Sequence, residues 1–419
     1  MRARHGRLGD GVKLKSGYPY WAVKNGLMHA FPRLERDATC EVAVIGGGIS
    51  GALIANELAT HGHEVCVVEA RDIGWGSTAA STALLQYEID THLTELAQRL
   101  GEADAALAYR ACAEAVDMLQ GLAAETDGVG FARMRSLYWA SRKRDVDPLR
   151  REMALRSKHG LAVSWLDPGM LHETWGLHAP GAILSGPAAR IDPYRMTYRM
   201  FMRLQRRGAR VFDRTRIARI EPLPRGVVLR TEDGACVRAG NVVMATGYEA
   251  QAWLAQQVAR NRSTYAFVTD PLPAGALRGL ADTLLWETAR PYLYLRSTED
   301  GRVLLGGADD AVDIPQRRDQ RVRYKMRQLL RKAGRVLPDL ALTPTFAWGG
   351  TFAETDDGLP FFGPHAQYGP HVHFAMAYGG NGITYSMLGA RLIHALLERR
   401  RHRLMPLFSF ARLERRASS

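Results

Sequence analysis

Residues 46–51 read Gly46-Gly47-Gly48-Ile49-Ser50-Gly51, a GxGxxG turn, and an acid, Glu69, stands about 20 residues further on. These residue types at this spacing suit a dinucleotide. Gly46 permits a tight turn, Gly48 lets the backbone approach a pyrophosphate, and Gly51 lets a helix pack close to a strand. Ile49 and Ser50 open that helix, whose N–H groups and positive dipole end favour phosphate. Glu69, followed by Ala70 and Arg71, is placed to accept hydrogen bonds from ribose hydroxyls and would repel the 2′-phosphate of NADP. The turn alone leaves NAD and FAD both open.

The flanking residues predict the elements that such a turn needs. Val42 to Ile45 is a β-branched apolar run, as in a buried parallel strand. Ala52 to His61 has helical spacing and stops at Gly62. Val65 to Val68 reads as a second buried strand that delivers Glu69 at its end. Further along, Arg290, Tyr292, Tyr294 and Arg296 alternate on one face of a predicted strand. Two arginines and two tyrosines there suit a carboxylate-bearing substrate. A solvated face over a leucine core is the equal alternative.

Other chemistries find little support. The histidines are scattered, without Ser and Asp partners at relay spacing, and no His/Glu cluster has metal-ligand spacing, so no metal is expected. Cys40, Cys66, Cys112 and Cys236 form no CxxC pair, which suits a reducing cytoplasm. The formal net charge of +13 comes mostly from arginine spread along the chain. No nucleic-acid motif accompanies it, so no nucleic-acid partner is expected. No apolar run is long enough for a transmembrane helix, although the basic ends leave peripheral membrane contact open.

Four more segments complete the pattern, which resembles the D-amino-acid oxidase family of FAD-dependent flavoproteins, nearest to its γ-glutamylputrescine oxidoreductase-like and glycine oxidase-like members. The first is Asp72 to Ala83, a small-residue loop in which Gly76, Ser77, Thr78, Ser81 and Thr82 would lie along the flavin. The second runs from Ile191-Asp192-Pro193 through a helix to Val211, then to Ala245-Thr246-Gly247. The resemblance implies that Val211 holds the adenine through its backbone and that the Ala-Thr-Gly strand end packs on the dinucleotide. The third comprises two strands around Tyr292 to Arg296 and Arg302 to Gly307. The fourth joins Trp348-Gly349-Gly350 to the turn Gly379-Gly380-Asn381-Gly382-Ile383-Thr384, followed by a helix from about Tyr385 to Arg399. In the family, such a turn aims a helix N-terminus at the flavin edge that becomes negative on reduction. Gly380 and Asn381 are therefore expected in the electrostatic role, with Tyr294 and Arg296 on the substrate side.

The chain also departs from the family pattern. Phe352-Ala353 stand near the place where amino-acid oxidases carry a carboxylate-pairing Arg. No cysteine follows Cys236, so the cysteinyl flavin link of sarcosine oxidases is excluded and non-covalent FAD is implied. The lysine tied to oxygen activation in some members is absent from the strand that holds Leu304 and Leu305.

The expected architecture is α/β. A Rossmann-like FAD-binding domain takes residues 36–92, 187–252 and 348–402, and a discontinuous mixed-sheet (α+β) substrate domain takes 93–186 and 253–347. An N-terminal arm spans 1–35 and a basic tail 403–419. The expected reaction is oxidation of the C–N bond of a small-molecule amine or amino acid by hydride transfer to flavin N5, giving an imine that hydrolyses, with O2 as the expected acceptor. The rivals are a quinone-linked dehydrogenase of the same fold, and a flavoprotein subunit or RNA-modifying flavoprotein. The oligomeric state is left open.

Overall fold

The computed structural model describes residues 13–417. The basic stretch before Lys13 and the last two residues of the tail lie outside the described residues.

Val42, Val44, Val65 and Val67 are buried in one apolar cluster, while Ala43, Ile45, Cys66 and Val68 are buried in another. A strand covered on both faces has no reason to alternate polar and apolar residues, and these do not. They belong to the strands Ala38–Ile45 and Val65–Val68, at the centre of an eight-stranded sheet. Five of its strands run parallel, in the order Val372–Met376, Cys236–Met244, Ala38–Ile45, Val65–Val68 and Arg210–Phe212. The helices Ile49–Thr60, Pro193–Arg206 and Gly382–Leu397 pack together on one face of it.

The second sheet has ten strands and mixed pairing. Most neighbours are antiparallel, but Thr283–Glu287 lies parallel to Ala132–Trp139. The helix Pro315–Val336 covers one face, burying Leu329 and Ala333 against Tyr265, Phe267, Leu293, Leu295 and Leu305. The chain passes between the two sheets repeatedly. Leu84–Gln86 pairs with Ala182–Arg190, and Pro344–Glu354 pairs with Arg260–Thr269, all in the ten-stranded sheet. The short strand Lys15–Ser16 adds to its edge, so the N-terminal arm is part of this layer.

The helical stretch after Leu93 is two helices, Leu93–Leu100 and Glu102–Thr126, because Gly101 takes a φ of 87°. One sequence expectation changes in detail: the Gly-rich turn starts its helix earlier than predicted, at Gly382.

Candidate active site

The carboxyl ends of the parallel strands open onto a cavity of about 1250 Å³, beyond the roughly 300–1,000 Å³ of ordinary small-ligand pockets and suited to a dinucleotide plus a substrate. That position, outside the strand ends of an open α/β sheet, is where ligands bind in such folds.

The cradle at this end is main chain held at close quarters. A Cβ on Gly46 would lie 2.3 Å from the Ala245 carbonyl oxygen, and one on Gly51 would lie 1.9 Å from that of Gly46. Gly48, Ile49, Ser50, Glu69, Ala70 and Arg71 line the cavity, while Gly51 lies behind it and lets helix and strand touch. Glu69 accepts the N–H of Gly47 at 2.6 Å and of Arg71 at 2.7 Å. Burial pushes its carboxyl up, against those two bonds. Arg71 reaches across to Glu249 at 2.6 Å. The N–H of Ile49 is taken by the Thr78 hydroxyl at 2.9 Å, which ties the glycine turn to the small-residue loop.

That loop is fixed from behind by three donors in a row. Trp348 Nε1 donates to the Ala80 carbonyl at 2.8 Å, Trp21 Nε1 to the Ser81 carbonyl at 2.7 Å, and Arg296 Nε to the Thr82 carbonyl at 2.7 Å. Gly76, Ser77, Thr78, Ser81 and Thr82 face the cavity. The hydroxyls of Ser77 and of Thr246, also on the wall beside Ala245 and Gly247, are buried without a hydrogen-bond partner. Buried hydroxyls seldom stay unpaired, and these two fit the polar groups of a dinucleotide. Ser77, Thr246, Glu69 and the glycine turn would hold FAD in this position. No cysteine or histidine lines the cavity among the described residues.

A second helix N-terminus converges on the same space. Gly379, Gly380, Gly382 and Ile383 line the cavity at the start of the helix Gly382–Leu397, beside Gly350 of the strand Pro344–Glu354. The Ser50 and Ser386 hydroxyls, 2.7 Å apart, bridge the two helices. Asn381 does not face the cavity: its amide donates to the Glu88 carbonyl at 2.8 Å. Thr384 likewise turns its hydroxyl to the Gln86 carbonyl at 3.3 Å. Both shape the turn from behind.

Val211 is buried in the core, opposite Val67 in the parallel register. The wall on that side is formed by Thr215 to Ile220, with Trp253 and Tyr368. The prediction stopped one strand short, because the strand Ile217–Leu223 carries no clean alternation to mark it in the sequence.

The ten-stranded sheet supplies the opposite wall. Thr264, Trp286, Tyr292, Tyr294, Asp309 and Phe352 face the cavity from it, and Asp90 enters from a loop. The alternating face predicted around Tyr294 divides. Tyr292 and Tyr294 line the cavity, whereas Arg290 stacks on the Tyr292 ring at 3.6 Å. Arg296 is buried, and its guanidinium is taken up by the carbonyls of Thr82, Ser297 and Ile191. It positions the loop and reaches no substrate. Gln86 lines the cavity, but Tyr87 and Glu88 are buried behind it.

Sequence reasoning missed Asp90 and Asp309. Asp90 accepts the Tyr292 hydroxyl at 2.9 Å and the Gly380 N–H at 2.7 Å. Asp309 keeps one oxygen buried and unpartnered, and burial pushes its carboxyl up to about 6. Sequence spacing also hid a cluster far from the cavity, where Glu57, His61 and His394 bring potential ligand atoms within 4.8 Å of one another. There His394 Nδ1 lies 3.3 Å from the Arg400 guanidinium, which competes with a cation. Among the described residues, no helix is long and apolar enough to cross a membrane.

Known proteins resemble this chain in sequence and fold. A family model described as DAO, FAD dependent oxidoreductase, matches residues 41–396. A glycine oxidase of Geobacillus kaustophilus is 27% identical over 369 residues, covering 86% of this chain and 93% of its own. The γ-glutamylputrescine oxidoreductase of Escherichia coli is 23% identical, covering 90% of this chain and 88% of its own. In three dimensions, the L-proline dehydrogenase of P. horikoshii superposes with a TM-score of 0.75 at 20% identity, over 90% of this chain and 99% of that one.

Proposed function

The chain belongs to the DAO family of FAD dependent oxidoreductases, and from that premise we propose that it oxidises the C–N bond of an amine whose α-carbon carries no carboxylate anchored by arginine. One observation carries the choice of amine over simple amino acid. The wall opposite the dinucleotide cradle presents two carboxylates, Asp90 and Asp309, and Phe352 where a carboxylate-pairing arginine would be needed. Arg290 is stacked on Tyr292 and donates to the Asp90 carbonyl at 3.0 Å.

FAD, when bound, supplies the acceptor for the hydride that leaves the amine's α-carbon, and the resulting imine hydrolyses in water. This chain's residues bind and orient. The aromatic faces of Trp286, Tyr292 and Tyr294 exclude water and confine the alkyl part of the substrate. Two helix N-termini, at Ile49 and Gly382, put positive dipole ends on the cavity and favour negative charge there. Asp90 holds the Gly380 N–H and keeps the second turn in place.

The test is an anaerobic titration with a panel of amines and amino acids, read as loss of flavin absorbance. Bleaching by amines and not by glycine or D-alanine supports the reading. No bleaching by any amine sinks it and favours a flavoprotein subunit without this activity. For the electron acceptor, the strand Val303–Asp310 contains no lysine, which favours a quinone over O2. Hydrogen peroxide formed in air at the rate of amine loss would reverse that choice.

A further inference from the structure

We propose that Asp309 anchors a second cationic group of the substrate, an ammonium or guanidinium carried away from the C–N bond that is oxidised. This rests on the amine-oxidising reading above and narrows its substrate class to diamines and their guanidino analogues.

The strand Val303–Asp310 is built to aim this side chain. Leu304 and Leu305 fall in different apolar clusters, as alternation requires. The ring of Tyr294, on the cavity face, covers Gly306, whose added Cβ would meet it at 2.4 Å. Unbroken alternation would then turn residues 308 and 310 to the cavity. The backbone breaks phase instead: Gly307 has a φ of 125° and Ala308 a φ of 53°, and the pairing with Arg260–Thr269 shifts register here. Ala308 consequently joins the cluster under the helix Pro315–Val336, and Asp309 faces the cavity. A bulge that re-aims a side chain beside a binding site, with a non-glycine residue in the left-handed region, is a device retained for a purpose.

The neighbouring acid shows what a structural role looks like. Asp310 takes Lys325 at 2.9 Å, Arg321 at 2.8 Å and the Tyr265 hydroxyl at 2.8 Å. Asp309 has the Thr264 hydroxyl beside it but no cationic partner, and its Oδ1 is buried unpaired. A half-buried carboxylate with one oxygen shut off from water lacks a counter-charge, and a cationic group of the substrate would supply it. No charged group of the chain pairs with it. Asp90 and Glu354 repel it, Glu354 being paired with Arg262, and Arg290 attracts it only from its place on the Tyr292 ring and the Asp90 carbonyl. Tyr294 adds an aromatic ring to the wall, which favours a cation.

The experiment compares butane-1,4-diamine and hexane-1,6-diamine with butan-1-amine on the FAD-loaded wild type and on Asp309→Asn. It reads the amine's dissociation constant and the limiting rate of anaerobic flavin reduction separately. One diamine is expected to bind the wild type more tightly than the monoamine, and Asp309→Asn to weaken that diamine by about thirtyfold or more, the usual size for truncating one member of a buried charge pair. The monoamine should be weakened far less than that diamine, since it carries no second cation to pair. Equal binding of diamines and monoamine by the wild type overturns the proposal. So does an equal drop in limiting rate for all amines in Asp309→Asn, which would make the residue a proton acceptor at the reacting nitrogen. If no amine reduces the flavin, the amine-oxidising reading fails. Calorimetric binding of the diamines to both proteins then still decides on Asp309, and no binding by the wild type refutes it.

Discussion

At the end of the cavity beneath the parallel sheet, main chain is brought to the wall by the turn from Gly46 to Ser50, the strand end at Ala245 and the turn at Gly379, with small hydroxyl side chains between them. On the wall made by the ten-stranded sheet the facing groups are side chains: Thr264, Trp286, Tyr292, Tyr294, Asp309 and Phe352. The first end recognises a constant ligand through backbone shape, which tolerates no added atoms. The second confronts a variable ligand with side chains on rigid strands, which can be exchanged without moving the backbone. Cofactor binding is thus expected to be brittle, and substrate choice to be adjustable.

The hardest break of that contrast is Gly51→Val. Its Cβ would overlap the Gly46 carbonyl oxygen, at 1.9 Å, and the expected cost is about 3 kcal/mol or more. The purified variant should be colourless after desalting, and flavin retention at the wild-type level would refute the close-packed cradle.

Arg296→Met is next. It leaves the carbonyls of Thr82, Ser297 and Ile191 without their buried donor, at about 2–4 kcal/mol. Thermal unfolding should fall and flavin should dissociate faster. An unchanged melting temperature with a raised KM would instead return Arg296 to the substrate side.

Asp309→Asn should move stability in the opposite direction. Burial pushes the carboxyl up to about 6 in the folded chain from an ordinary 3.8. The folded form binds the proton more tightly, so that contribution is fully present below 3.8 and is lost as pH rises through about 6. At pH 8 the wild type carries the buried charge and the amide does not. The variant is therefore expected to be more stable by on the order of 1–2 kcal/mol at pH 8, with the difference fading in acid. Melting curves across pH measure this, and a variant less stable than wild type at pH 8 would mean that the carboxylate has a partner.

The smallest effect is expected from Trp21→Phe, which keeps most of the buried ring but removes the donor to the Ser81 carbonyl. It should cost about 1 kcal/mol and loosen flavin severalfold. A tenfold or greater loss would mean that the N-terminal arm does more than brace the loop.

The same contrast governs how much was legible beforehand. The glycine turn, Glu69, the loop from Gly76 to Thr82 and the turn at Gly379 stand in short contiguous stretches, and their residue types are dictated by backbone geometry. The structure puts most of them on one cavity. Asn381 and Thr384 belong to the right turn, but a sequence cannot say that their side chains point backward to the carbonyls of Glu88 and Gln86. Arg296 looked like a substrate anchor because alternation placed it on the face of Tyr294. A carbonyl from a loop more than two hundred residues away captured it instead.

The sequence by itself determined that a βαβ unit cradles a dinucleotide, because only glycine permits backbone contacts of this closeness and only a following helix offers its N–H groups. Tertiary structure alone decided what the cavity asks of a substrate. Asp309 faces inward because a bulge at Gly307 and Ala308 reverses the strand's alternation. Asp90 meets it from a separate loop because its carboxylate is tied to Tyr292 and Gly380. Those contacts join distant segments, and their energies depend on burial that appears only when the two sheets close on each other.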